Sequence, residues 1–355
     1  MKKLNLLLVA LALTAGGTFA QTNIGLVTET GQNQEATIGQ TGIQNKSFVT
    51  QSNNANEADV TQSNFNDDYS TLSDVNQSGE RNEATVKQIS NGTLDGDNQI
   101  GVLQASVKQG GNDNEALQLQ GPHNYQGISF AEIIQGGNAN FASQHQLRYG
   151  NEARINQSGS GNIAEQAQDS ELLPDEDGSY NTANIGQSGN FNTATQKQDG
   201  WANVAIADQS GSSNISTQLQ KDYSWKNFAT VSQSGNWNTA TQTQLGALNS
   251  AKIDQASSLN TATQTQTSVA HRASAVYDPL NIAEIYQKGG DWNIATQIQD
   301  ITLGADIFPN KGIIMQDGWS NTALQTQTGG DNSSTVSQTG NGHTATVTQS
   351  MSIVQ

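Results

Sequence analysis

The sequence feature that most constrains the fold is an internal repeat. The pattern Asn-x-Ala-x-x-x-Gln recurs along nearly the whole chain, and Asn192, Ala194 and Gln198 form one copy of it. The Gln residues of consecutive copies are in many places 11 residues apart. Self-similarity at such a short period is typical of a solenoid, in which each repeat contacts only its neighbours.

Extra residues are inserted almost only after every second copy of the pattern. Two copies therefore form one coil, and the insertions lie on one side of the solenoid. We predict an all-β fold, a β-solenoid in which each coil has two strands joined by a tight turn. The prediction comprises 13 coils, at residues 23–40, 45–62, 71–88, 103–120, 129–146, 151–168, 181–198, 203–220, 227–244, 249–266, 281–299, 310–327 and 332–349, in one domain over residues 21–355.

The first residues are typical of a secretory signal peptide. Lys2 and Lys3 precede an apolar run, and Thr18-Phe19-Ala20 is a small-x-small cleavage site. Residues 1–20 are therefore predicted to be removed on export. The apolar run is shorter than the ~20 residues that a membrane-spanning helix needs, and no other stretch resembles one. We predict no transmembrane segment.

The repeat places its amide side chains on the inward face of the strands. Side chains alternate along a strand, so Asn, Ala and Gln of one copy share a face. A buried amide without a partner costs about 1–3 kcal/mol, but the same residue in the next coil, about 4.8 Å away, can donate and accept. We predict a structural amide ladder of Asn56, Gln62, Asn82, Gln88, Asn114, Gln120, Asn140, Gln146, Asn162, Gln168, Asn192, Gln198, Asn238, Gln244, Asn260, Gln266, Asn321 and Gln327.

Glycine recurs at one place in the turn between the two strands of a coil. The junction reads Gln-x-Gly in most coils, which predicts a positive φ at that residue. The predicted turn glycines include Gly79, Gly137, Gly159, Gly189, Gly211 and Gly235.

Composition and charge argue against several classes of function. The net charge of −17 argues against a nucleic-acid partner, because phosphates require a basic surface. With 33% apolar residues the chain lacks an ordinary large core, and with no Cys it has no thiolate metal site. The four His residues stand in no catalytic motif, and the acidic insertions lack the spacing of a calcium loop. We predict no enzyme activity, cofactor or metal; the His residues are His123, His145, His271 and His343.

The strand–turn–strand unit resembles the curlin repeat of curli fibre subunits. Residues 187–194 followed by Gln198, and residues 233–240 followed by Gln244, carry the resemblance. It implies a secreted functional amyloid of the extracellular biofilm matrix that contributes to surface adhesion. It also implies two partners besides the chain itself, namely an outer-membrane secretion pore and a minor nucleator subunit.

The ends of the predicted solenoid favour a fibre. A monomeric solenoid needs polar caps because its end coils expose strand edges, and the sequence shows no such cap beside coils 23–40 and 332–349. We expect head-to-tail addition of copies. The alternative is a secreted monomer that binds ice or another surface through outward Thr residues, such as Thr239, Thr241 and Thr243.

Overall fold

The computed structural model describes residues 23–65, 69–90, 101–121, 127–148, 150–169, 180–268, 281–301 and 309–350. These residues form strands and turns, with no helix among them. The predicted signal peptide and the predicted acidic insertions lie outside the described residues. The strands belong to two compact units, one ending at Gln168 and one beginning at Asn181. The single domain over residues 21–355 stays a prediction.

The first unit is built from short strands that alternate along the chain between two parallel sheets. The sheet orders are β1-β3-β5-β7-β9-β11 and β2-β4-β6-β8-β10-β12. The strands are β1 (Ile24–Gln32), β2 (Glu35–Gly42), β3 (Asn45–Asn54), β4 (Glu57–Asn64), β5 (Tyr69–Gln77), β6 (Glu83–Ser90), β7 (Gly101–Gln109), β8 (Glu115–Gln120), β9 (Gly127–Asn138), β10 (Phe141–Gln146), β11 (Glu152–Ser160) and β12 (Ile163–Gln168).

The second unit repeats this arrangement. Its sheet orders are β13-β15-β17-β19-β21-β23-β25 and β14-β16-β18-β20-β22-β24-β26. The strands are β13 (Thr182–Asn190), β14 (Thr193–Trp201), β15 (Val204–Ser212), β16 (Ile215–Trp225), β17 (Phe228–Gln233), β18 (Thr239–Ala247), β19 (Asn249–Gln255), β20 (Thr261–Ser268), β21 (Asn281–Lys288), β22 (Ile294–Ile301), β23 (Asn310–Asp317), β24 (Thr322–Thr328), β25 (Ser333–Thr339) and β26 (Thr344–Ser350).

Within each unit, every strand pairs in parallel with the strand two positions along the chain, and the pairing places equivalent repeat positions side by side. In the second unit, Ala240 is paired with Ala262 and Gln244 with Gln266. An odd-numbered strand and the next even-numbered strand therefore form one coil. The predicted all-β solenoid class is confirmed.

The interior contains both apolar and amide side chains. Odd-numbered strands contribute one buried aliphatic residue each over most of the chain, such as Ile133, Ile253 and Ile285, and Ala residues face them. In the second unit, these aliphatic and Ala side chains form one continuous cluster from Val231 to Val336. Buried Asn and Gln flank this cluster on both sides, so the amides rather than a large apolar core line most of the interior.

Several strands extend beyond the predicted coil boundaries. β5, β7 and β9 begin earlier than predicted, at Tyr69, Gly101 and Gly127. These residues are paired in register between neighbouring strands, so the parallel pairing continues beyond the repeat. β16 continues to Trp225, which is paired with Trp201. The two indole rings stack with centroids 5.9 Å apart. These strands therefore extend beyond the predicted coil boundaries at residues 71, 103, 129 and 220.

The turn glycines adopt the left-handed backbone region. φ is 104° at Gly79, 93° at Gly137, 99° at Gly159, 97° at Gly189, 96° at Gly211 and 95° at Gly235. A Cβ on Gly137 would collide with the backbone oxygen of Gly159 in the next coil. Stacked turns thus leave no room for a side chain, and the backbone conformation disfavours one independently.

We expect Gly137→Ala to lower the free energy of unfolding by about 1–3 kcal/mol, because it adds a clash to an unfavourable φ. The matched control is Gly136→Ala. A Cβ there has its nearest neighbour, the backbone oxygen of Gln157, at 3.9 Å. Urea unfolding followed by circular dichroism measures both variants. Equal losses would show that the turn does not require glycine at residue 137.

Candidate functional site: the stacked amide ladders

The Gln side chains of the even-numbered strands hydrogen-bond in one direction along the stack. The Nε2 atom of each donates to the Oε1 atom of its equivalent in the next coil. In the first unit, the steps from Gln40 through Gln62, Gln88, Gln120 and Gln146 to Gln168 are 2.8–2.9 Å long. In the second unit, the steps from Gln198 through Gln220, Gln244, Gln266, Gln299 and Gln327 to Gln349 are 2.7–2.9 Å long.

Each of these amides also bonds to the backbone of its own coil. Gln244 donates from Nε2 to Oε1 of Gln266 and to the backbone oxygen of Phe228, both at 2.9 Å. Its Oε1 accepts from Nε2 of Gln220. Both N–H groups and the oxygen are therefore used, although the side chain is fully buried. A carboxylate cannot replace this amide, because it has no N–H to donate.

The Asn side chains preceding the even-numbered strands form a ladder of opposite direction. Asn82 donates from its backbone N and from Nδ2 to Oδ1 of Asn56 in the preceding coil. The same relation connects Asn114 to Asn82, Asn140 to Asn114, Asn162 to Asn140, Asn214 to Asn192, and Asn293 to Asn260. The backbone N of Asn238 donates to Asn214, that of Asn260 to Asn238, and that of Asn321 to Asn293.

Asn also fastens the turn that precedes it. Nδ2 of Asn140 donates to the backbone oxygen of Gly136 in its own turn and to that of Gly159 in the next turn, each at 3.1 Å. A buried carbonyl requires a donor, and the Asn140 amide supplies one to each of these turns. The Asn position therefore satisfies the turn as well as its own stack.

Two further Gln ladders lie outside the predicted set. Gln residues of odd-numbered strands step from Gln51 to Gln157 and from Gln187 to Gln338 with Nε2–Oε1 distances of 2.7–3.0 Å. Gln residues in the middle of even-numbered strands do the same from Gln118 to Gln166 and from Gln196 to Gln325. The same inward phase marks them in the sequence.

A Gln ladder begins with an unsatisfied acceptor where the preceding coil has no amide. Gln118 is paired with Val86, and its buried Oε1 accepts no hydrogen bond. Gln51 is paired with Glu29, and its buried Oε1 is likewise without a donor. Glu29 occupies the Gln position of the first coil, but an ionised carboxylate cannot donate a hydrogen bond to Gln51. The ladder therefore starts at Gln51.

The absence of catalytic and metal-binding residues stays a prediction. No group of three or more His, Asp or Glu residues in the described parts of the chain could hold a metal ion. His145 lies half-buried on β10 and His343 is exposed. His123 and His271 lie outside the described residues. The described residues also contain no helix with the length and hydrophobicity to cross a membrane.

The repeat pattern matches a known family model in the second unit. The model of the curlin associated repeat matches residues 227–256, 310–340 and 318–350. The matched stretches carry curlin repeats, and the first of them covers β17 to β19, where Asn238 and Gln244 of the ladders lie. No curated protein sequence matches the chain.

We expect Gln244→Glu to lower the free energy of unfolding by about 1–3 kcal/mol at neutral pH, because a buried carboxylate replaces two donors. Burial raises the pKa of such a carboxyl above its ordinary value of about 4.3. Stability is therefore highest at acid pH, where the carboxyl is protonated, and is lost as the pH rises through the raised pKa. Urea unfolding at a series of pH values measures this.

The control is Thr243→Glu, one residue earlier on the outward face of β18. Its carboxylate remains hydrated, so we expect a change within about 0.5 kcal/mol. Equal losses in the two variants would contradict the assignment of Gln244 to the inward ladder.

Proposed function

We propose that this chain is a curli-like amyloid subunit that assembles head to tail into extracellular fibres of a biofilm matrix and contributes to surface adhesion. The observation that carries the proposal is the directional Gln ladder of the even-numbered strands. The ladder of the first unit begins at Gln40 and that of the second unit reaches Gln349, and both residues are only half-buried. A ladder of this kind gains one hydrogen bond for every further coil of the same shape.

The two end coils are complementary in their hydrogen-bonding groups. Gln40 uses Nε2 to donate to Gln62 and to the backbone oxygen of Ile24, and its acceptor Oε1 is on the side away from β4. Gln349 accepts from Gln327 and donates from Nε2 to the backbone oxygen of Ser333. We infer from the interior coils that its second Nε2–H faces the next copy. A second copy in phase joins this donor to the acceptor of Gln40.

The strand edges and apolar rows match in the same way. Among the described strands, β2 has β4 as its neighbour and β26 has β24. The inward residues of these edge strands, such as Ile38 and Val347, are half-buried, whereas their interior equivalents are fully buried. Unpaired parallel edges with apolar inward faces are templates for another strand. Head-to-tail contact between different faces does not close, so it produces a fibre.

The wider role follows from the curlin repeats and the predicted signal peptide. A chain exported from the cytoplasm and assembled outside the cell requires a route through the outer membrane and control of where fibres begin. The resemblance to curli subunits supports a secretion pore and a minor nucleator subunit as partners. The fibre itself is a homopolymer in this proposal, and its role is structural rather than enzymatic.

A second candidate function has one supporting observation. Thr239, Thr241 and Thr243 of β18 are paired with Thr261, Thr263 and Thr265 of β20, which makes a small flat Thr array. Ice-binding solenoids present such arrays. On the neighbouring strands, however, Ile215 and Leu219 of β16 and Ile294 and Ile298 of β22 occupy most of these positions. The array is short, and the fibre proposal accounts for more of the molecule.

Mature protein freed of denaturant is expected to form thioflavin-positive fibres after a lag. Their diffraction should show a meridional spacing near ~4.8 Å and a sheet separation near ~10 Å. Preformed seeds should remove the lag, because an existing end templates the next strand. Thermal hysteresis should be negligible. A stable monomer that never seeds but depresses freezing would reject the fibre and favour the Thr array.

Growth should depend on the inward face of the end strand. We expect Val347→Lys to slow elongation from wild-type seeds severalfold, since it places a charge where the next coil must pack. The control is Thr346→Lys on the outward face of β26. Similar elongation rates for the two variants in thioflavin assays would contradict stacking on this face.

A further inference from the structure

Two inward positions in the end coils carry ionisable side chains instead of amides. In the coil of β1 and β2, Glu29 occupies the position held by Gln51 in the next coil. In the coil of β25 and β26, His343 occupies the Asn position, and its backbone N donates to Oδ1 of Asn321 at 3.0 Å. In the described interior coils, the first of these positions carries Gln and the second carries Asn. The first coil has Gln34 at the Asn position.

Interior coils show that these two positions are neighbours. Nε2 of Gln77 donates to the backbone oxygen of Asn82 in its own coil at 3.0 Å. It also donates to the backbone oxygen of Glu57, the residue after Asn56 in the preceding coil, at 2.8 Å. Gln109 and Gln135 repeat both contacts. The Gln side chain of one coil therefore lies beside the residue that follows the Asn position of the coil before it.

In a head-to-tail junction, the coil of β25 and β26 precedes the coil of β1 and β2 of the next copy. Glu29 then follows Gln338 in the ladder of the odd-numbered strands and lies beside the backbone oxygen of Thr344, the residue after His343. An ionised carboxylate cannot donate to that oxygen as Gln does. The buried Oε1 atom of Gln51, which is paired with Glu29, also lacks a donor. The carboxylate and this amide oxygen are two neighbouring acceptors, and a donor or a positive charge beside them stabilises both.

We propose that Glu29 of one copy and His343 of the adjacent copy form an ion pair that closes the junction between subunits. This inference rests on the head-to-tail assembly proposed above and adds the residues that recognise the partner. The imidazolium ring supplies two N–H donors and a charge. The coil of β1 and β2 therefore recognises an end coil that carries His at the Asn position. This contact differs from those between interior coils.

The surroundings leave this pair without competing inward charges. On the strands packed against β1, the charged residues are Glu35 of β2 and Lys46 of β3, and both are exposed on outward positions. β24 and β25, which pack against β26, carry no charged residue. Burial raises the pKa of Glu29 above its ordinary value. An adjacent imidazolium counteracts that shift, because it favours the ionised carboxylate.

The pair forms only where the His343 imidazole is protonated and the Glu29 carboxyl is ionised, so its contribution to the junction depends on pH. The decisive experiment compares seeded elongation of wild type, Glu29→Gln, His343→Asn and the double variant at about pH 5.5 and pH 8. Both substitutions restore the amide of the interior coils. The controls are Glu35→Gln and His145→Asn, which remove the same titratable groups from outward positions and report the general effect of acid on a chain of net charge −17.

The measured quantity is the elongation rate at pH 5.5 divided by the elongation rate at pH 8. We expect this ratio to be roughly threefold to tenfold larger for wild type than for the double variant, since one pKa unit of interaction is a tenfold change in equilibrium. Glu29→Gln should elongate faster than wild type at pH 8, because an amide replaces the unpaired charge. His343→Asn should elongate more slowly than wild type at pH 5.5. The two control variants should keep the wild-type ratio.

The outcomes separate the two proposals. Wild-type fibres whose rate ratio is unchanged by Glu29→Gln and His343→Asn would overturn the ion pair and leave the fibre intact. The ion pair would also be overturned if the outward control variants lost the pH dependence of elongation, because the effect of pH would then be general. Absence of seeded growth in wild type would reject the fibre itself.

Discussion

The structure depends on one constraint, which is that a buried amide must find both a donor and an acceptor. Gln244 meets it with a Gln in each neighbouring coil and a backbone oxygen of its own coil. Such an arrangement works only if the same residue recurs at the same height in every coil. The constraint therefore explains the strict phase of the repeat, the parallel register and the small Ala beside the amides. It also explains why a chain with few large apolar residues can form an ordered interior.

Hydrogen-bond direction gives the stack a polarity that strand pairing alone does not specify. The Gln ladders donate toward the C-terminal coils, as Gln62 does to Gln88, and the Asn ladders donate toward the N-terminal coils, as Asn82 does to Asn56. The two end faces consequently differ in which groups they present. A copy placed head to head would oppose donors with donors. A copy placed head to tail continues the ladder that ends at Gln349 with the one that begins at Gln40, so directional amides favour the polar arrangement of subunits.

The turns carry a second constraint, which is backbone space. Gly137 and Gly159 lie in successive turns so close that a Cβ on the first would meet the oxygen of the second. Asn140 then fastens both turns through its side-chain nitrogen. The tight turn and the inward Asn are thus one device, and it recurs where the sequence reads Gln-x-Gly before Asn.

Period, strand type and inward phase could be derived from the sequence, because a repeat of identical residues allows few arrangements in which all its amides are satisfied. The pairing of two copies into a coil followed from the positions of the insertions. The ends of the strands could not be predicted from the sequence as well. The extension of β16 to Trp225 depends on stacking with Trp201, which is distant in sequence. Tertiary structure alone decided the direction of each ladder, the contact of Gln77 with both Asn82 and the preceding coil, and the acceptor of Gln51 left unsatisfied beside Glu29. These depend on which atom of an amide faces which neighbour, and sequence spacing places residues on a face without orienting their donors and acceptors.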